Sequence, residues 1–194
     1  MAIRGEVRII LILVVLVLIL AAAIDFIKRN VEKADATKFV TEDLNAKYPG
    51  ADLAIISTTE KLNDEGKKYY EIKTKVTKNA NIACPERTHI YYNYPEQNFV
   101  PQPPDHITQN CQVCTEKACV LVFPEEAIIA SHTLPGTEKV SDYLNSSERV
   151  SPTIEETDNG WKVVWDSPVA NSVYEVTLSR NGSVLSVAKK AKTI

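Results

Sequence analysis

The chain has 194 residues, a formal net charge of −3, 44% hydrophobic and 24% charged residues. That balance excludes wholesale disorder, and the lack of any run of five or more basic residues leaves no electrostatic footprint for nucleic acid. Beyond an apolar N-terminus, about 160 residues are left, enough for two units of roughly 80, each marginally stable by itself.

Ile9 to Ile24 reads IILILVVLVLILAAAI, without a charged or polar side chain. Such a run satisfies its backbone as a helix, and at ~1.5 Å per residue it approaches the ~30 Å hydrocarbon core of a bilayer. It predicts a single-pass transmembrane signal anchor over residues 9–27, preceded by a short cytoplasmic tail, residues 1–8, with the lipid bilayer as partner. A cleaved secretory signal peptide is the rival, since Arg4 and Arg8 precede the apolar stretch and Ala21-Ala22-Ala23 follows it. Both are expected to place the remainder outside the cytoplasm, in the cell envelope or secreted. Arg4 and Arg8 before the run and Lys28, Arg29 and Lys33 after it do not decide the orientation, and the reverse topology would leave the remainder in the cytoplasm. A helical pattern through Ile27, Val31, Ala34, Phe39, Val40 and Leu44 continues to the breaker Tyr48-Pro49-Gly50.

Strands are expected at Ala51–Glu60, Lys68–Lys78, Thr88–Tyr94 and Ala118–Phe123. In the second, Tyr70, Ile72, Thr74 and Val76 face one side, and Tyr69, Glu71, Lys73 and Lys75 a solvated one. A proline-rich connection joins the last two. Pro124-Glu125-Glu126 opens a short helical link, and Gly136–Ser146 forms an amphipathic helix with Val140, Tyr143 and Leu144 as its apolar stripe. Further strands follow at Val150–Asp158, Trp161–Trp165, Ser172–Leu178 and Ser183–Ala188, with hairpin turns at Asn159-Gly160 and Asn181-Gly182. The expected class is therefore α+β: after the membrane helix, two modules that each pack a helix on an antiparallel sheet of about four strands. Residues 28–124 form the first, with a cysteine-bearing proline-rich insertion, and 125–194 the second.

Val173-Tyr174-Glu175-Val176-Thr177-Leu178, then Asn181-Gly182, then Val184-Leu185-Ser186-Val187 give an aromatic strand, a glycine hairpin and a valine-rich final strand. In this the second half, from about Gly136 onward, resembles the PepSY domain, a small module of the cystatin-like class. The first half matches it in the order of elements alone. The resemblance implies an extracytoplasmic binding module, in some cases a peptidase propeptide or inhibitor, and it carries over no catalytic residue.

Cys84, Cys111, Cys114 and Cys119 are the most informative polar set. Outside the cell they imply two disulfides in one of three connectivities. Zinc ligation around Cys111 and Cys114, with His106 as a substitute ligand, and thiol–disulfide exchange at Cys111-Gln112-Val113-Cys114 are the alternatives. Glu125-Glu126 and Glu155-Glu156 are expected on solvated faces, and Trp161 and Trp165 in a core. Tyr91, Tyr92, Tyr94 and Phe99, in a stretch rich in proline and amides, form the candidate binding surface. No catalytic signature, bound metal or cofactor is expected. The function this suggests is non-enzymatic binding of a protein or peptide, peptidase-regulatory or as an accessory of an envelope assembly. The alternative is a thiol–disulfide or metal-binding protein built on the four cysteines.

Overall fold

A computed structural model describes residues 3–98, 100, 102–114 and 119–192, with the side chains of residues 3–11, 25, 26 and 29–31 outside the description. Helix α1 (Ile3–Lys47) is unbroken over 45 residues and stops where Tyr48-Pro49-Gly50 turns the chain, with Gly50 at φ +80°. Its last three turns bury Ala36, Val40 and Leu44, spaced at i and i+4, while Ala34 and Ile27 of the expected stripe are exposed.

The expected transmembrane helix is not found: among the described residues, no helix is long and apolar enough to cross a membrane. From Asp25 onward α1 carries Asp25, Lys28, Arg29, Glu32 and Lys33, so the apolar run of the sequence gives way to a polar helix. Residues Ile12 to Leu20 are between 46% and 66% exposed.

Strands β1 (Asp52–Leu62), β2 (Lys68–Lys78), β3 (Glu86–Tyr94) and β4 (Asp105–His106) form an antiparallel sheet in that order. The pleat sends alternate residues to opposite faces. Tyr70, Ile72 and Val76 of β2 face α1 and form a core with Ala36, Val40 and Leu44, flanked by Ile90, Tyr92 and Tyr94 of β3. The opposite face was expected to be solvated, and Glu71, Lys73 and Lys75 do stay partly exposed. Tyr69 and Thr77, however, are buried there, together with Arg87 and His89 of β3.

Around Thr77 and Arg87 that face is met by the start of helix α2 (Pro124–Thr133), the expected link. Ala127 through Ser131 are all buried, the mark of a helix enclosed on more than one side. Glu125, expected on a solvated face, is 5% exposed. Its carboxylate accepts from Arg87 Nη1 at 2.9 Å and from Thr77 Oγ1 at 2.8 Å. Glu126 caps the helix start, accepting from the amides of Val122 and Phe123. Arg87 lies 3.8 Å over the Phe123 ring and donates through Nε to His89 Nε2 at 3.0 Å. All five donors of a guanidinium need acceptors or a π face once buried, and this arrangement supplies several of them.

Helix α3 (Glu138–Ser146) and strands β5 (Ser151–Thr157), β6 (Gly160–Asp166), β7 (Ser172–Ser179) and β8 (Val184–Ala191) complete a second antiparallel sheet in chain order. Its core gathers Trp161, Val163 and Trp165 of β6, Val176 and Leu178 of β7, Ala127, Ile128 and Ala130 of α2, and Val140 and Tyr143 of α3. Both indoles have partners: Trp161 Nε1 donates to the Leu121 carbonyl and Trp165 Nε1 to Ser131 Oγ. The tryptophans are core residues. Gly160 is required by contact, because a Cβ there would collide with the Leu178 carbonyl.

The strand expected at Ala118–Phe123 does not form from Cys119 onward, where the described part of it begins. The second sheet captures this backbone instead: the Leu121 amide donates to the Arg180 carbonyl at 2.8 Å, and its own carbonyl serves Trp161. The two-residue β4 takes the fourth place in the first sheet, opposite Thr88 and His89. The α+β class and two four-stranded antiparallel sheets are as expected, and the membrane helix is not.

Removing one partner of a buried ion pair strands the other charge, at a cost of roughly 3–5 kcal/mol. Arg87→Met is expected to lower unfolding stability by that amount in urea titrations, and Arg87→Met with Glu125→Leu by distinctly less than the sum of the single changes. His89 gives a pH signature. Burial first, then the Arg87 and Lys73 charges, pushes its pKa down from 6.5 to about 4, against Asp105 and Glu125. The unfolded chain takes that proton near pH 6.5, so the stability is complete above this pH and is lost as pH falls toward 4. The expected loss is on the order of 3 kcal/mol, and His89→Gln should flatten that limb of the stability–pH curve.

Candidate functional site

The C-terminal half of α1 lies along the end of β3 and leaves a groove of about 620 Å3 between them. Phe39, Asp43 and Lys47 line it from α1, and Tyr92, Tyr94 and Pro95 from β3 and the turn after it. The helical spacing of Phe39, Asp43 and Lys47 puts them on one side of α1, next to the buried stripe. Tyr92 and Tyr94 share a face of β3 because they are two residues apart.

The Phe39 and Tyr94 rings stand 5.4 Å apart at their centres, and Phe39 is half exposed. The groove floor is organised by charge. Lys47 holds Asp43 at 2.8 Å, and the Tyr92 hydroxyl donates to the same carboxylate at 2.7 Å. The Lys47 hydrogen bond keeps the Asp43 carboxyl below the usual carboxylate range, opposed by partial burial and helped by Tyr92. Burial, and then Asp43, raises the Tyr92 phenol well above its ordinary value, so it is a hydrogen-bond donor at any physiological pH. These polar groups are committed to one another, and the Phe39 ring beside them stays half exposed.

Of the expected surface, Tyr92 and Tyr94 thus meet in the groove. Tyr91 borders the same groove, but its side chain points to the other face of β3, where its hydroxyl donates to Asp105 at 2.5 Å and Lys73 lies 5.5 Å from its ring. Phe99 lies outside the described residues. Phe39, Asp43 and Lys47 were missed, because nothing in the sequence ties a helix to tyrosines some fifty residues on. The i, i+4 series Phe39, Asp43, Lys47 was the one local sign.

The second polar centre is the cysteine set. Disulfides join Cys84 to Cys111 and Cys114 to Cys119, so all four thiols are bridged and one connectivity of three is selected. The first ties the start of β3 to the proline-rich connection. The second sits on the β7–β8 turn, where a Cβ on Gly182 would run into Cys119 Sγ. Glycine is needed there twice over, by that contact and by φ +76°. His106, the expected substitute ligand, is on β4 with Thr88 Oγ1 at 3.2 Å from its Nδ1. The histidine at the cysteines is His132, in the last turn of α2. Its Nε2 donates to the Ala83 carbonyl at 2.8 Å and lies 3.8 Å from Cys111 Sγ. Burial lowers the His132 pKa, partly offset by the Ala83 carbonyl. The imidazole is therefore neutral near pH 7.

No family model matches the chain, and neither a curated protein nor a solved structure matches it.

Peptide mapping without reduction is expected to recover Cys84 linked to Cys111 and Cys114 linked to Cys119. The bridges span 27 and 5 residues, for which chain-entropy restriction gives about 3.5 and about 2 kcal/mol. Cys84→Ala with Cys111→Ala should therefore cost about 1.5 kcal/mol more in denaturant unfolding than Cys114→Ala with Cys119→Ala.

Proposed function

We propose that the chain is an extracytoplasmic binding module, without enzymatic activity, that takes a protein or peptide segment in the groove between α1 and β3. The observation that carries this reading is the aromatic lining itself. Phe39, Tyr92 and Tyr94 offer rigid apolar surface beside a pre-formed Asp43–Lys47–Tyr92 network. Aromatic rings bury large area at small entropic cost, which is why they dominate protein and peptide recognition. A groove of this volume is within the range of ligand sites. Its two sides are fixed by the buried stripe of α1 on the sheet, so little ordering is needed on binding.

The paired cysteines support the compartment, because disulfides persist where the surroundings are oxidising. The second sheet, with its helix followed by four antiparallel strands, suits a PepSY-like module. A peptidase-regulatory role, or service as an accessory subunit of an envelope assembly, follows from that reading as the setting in which such a groove would work.

A library of unstructured peptides, read by fluorescence anisotropy against the purified chain, tests the groove. Peptides selected on the native chain are expected to bind at least tenfold more weakly to Phe39→Ala and to Tyr94→Ala, about 1.4 kcal/mol each. Leu185→Ala, on the exposed face of β8, should bind as the native chain does. Equal binding by all four proteins would remove the groove from consideration.

A further inference from the structure

Cys84, Cys111 and His132 bring two sulfurs and an imidazole nitrogen within 4.8 Å of one another. In a tetrahedral zinc site, bonds of about 2.0–2.3 Å put neighbouring ligand atoms roughly 3.3–3.8 Å apart. Cys111 Sγ and His132 Nε2 are already at 3.8 Å. We propose that reduction of the Cys84–Cys111 disulfide turns this corner into a zinc site whose ligands are the two thiolates and His132 Nε2.

The arrangement does not depend on the sulfur–sulfur bond to keep its ligands together. Thr108, three residues before Cys111, donates through Oγ1 to the Pro85 carbonyl and accepts from the Arg87 amide, both at 2.8 Å. Those two groups lie one and three residues after Cys84, so both cysteine-bearing segments are pinned beside each other by neighbouring hydrogen bonds. Arg87 is in turn held to Glu125, which fixes the cysteine corner to α2, and α2 carries His132. The imidazole is positioned by packing, edge-on to Trp165 at 5.5 Å. With the bridge open, the three ligands stay on a scaffold that other interactions hold.

The chemistry balances. A dithiol supplies two electrons and two protons and leaves as its own disulfide. Alternatively, a phosphine supplies two electrons, water supplies the oxide oxygen and two protons, and the phosphine leaves as its oxide. Either way the disulfide becomes two thiols. Zinc binding then releases one proton from each thiol. His132 moves its proton from Nε2 to Nδ1, giving up the Ala83 carbonyl in exchange for the metal. Two sulfurs and one nitrogen are a donor set suited to zinc, and the fourth position is open to water or an added ligand.

The test uses the full chain carrying Cys114→Ser and Cys119→Ser, so that only one pair of thiols is in play. Zinc is titrated against a chromophoric chelator without oxygen, before and after phosphine reduction, and cobalt is substituted to read thiolate ligation by its charge-transfer absorption. One zinc per chain is expected after reduction and none before. Binding should be at least tenfold weaker with His132→Gln, and Trp165 emission should change as the metal binds. A reduced chain that keeps its native circular dichroism yet binds no zinc would overturn the proposal, as would equal affinity in His132→Gln. Cys84→Ser with Cys111→Ser checks the scaffold, and loss of the fold in that chain would equally overturn the claim that hydrogen bonds hold the ligands.

Discussion

A single buried ion pair sets how this chain is put together. Arg87 and Glu125 are both nearly inaccessible, on a strand of the first sheet and in the first turn of α2. Neither charge can be removed from water without the other. The Coulombic attraction is bought back against desolvation only because Thr77, His89 and the Phe123 ring complete the environment. The result is orientation as much as stability, since a planar guanidinium accepts a carboxylate in few geometries. Once that contact forms, α2 has one placement against the first sheet.

The placement of α2 decides the rest. Its other side closes the core around Trp161 and Trp165, so a ten-residue helix is shared between two sheets that would each be marginal alone. The chain entering α2 is pulled into the second sheet through Leu121. The end of α2 delivers His132 to the Cys84–Cys111 bridge. On its far face the first sheet is free to take α1, and the aromatic groove lies along that contact, away from the ion pair. The aromatic groove and the thiol corner thus lie on opposite faces of one sheet.

Local patterns were read with success where neighbours in sequence are also neighbours in space. β2 spans Lys68–Lys78, as its alternation demands, and hairpins turn at both expected places. Gly160 opens β6 against the Leu178 carbonyl, and Gly182 meets both a left-handed backbone and a close neighbour. The apolar stripe of α3 buries Val140 and Tyr143 as expected. Failures came where a segment's environment is set from a distance. Glu125 reads as a helix-start acid on the surface, and only a guanidinium 38 residues earlier buries it. Ala118–Phe123 has strand composition, but the backbone groups of Leu121 are taken by Arg180 and Trp161. The N-terminal apolar run is a different case: its hydropathy predicts transfer from water, yet among the described residues no helix is long and apolar enough to cross a membrane.

By itself, the sequence determined the α+β class and most of the strands and turns, and it left paired cysteines as one expectation beside zinc ligation and thiol exchange. Periodicity, turn chemistry and composition act over a few residues and are written directly in the chain. Which cysteines pair, which tyrosines meet Phe39, and that His132 rather than His106 stands beside sulfur were decided by tertiary structure alone. Those relations arise from two sheets being locked about one helix, and the residues that lock them are separated by tens of positions with no periodic signal to link them.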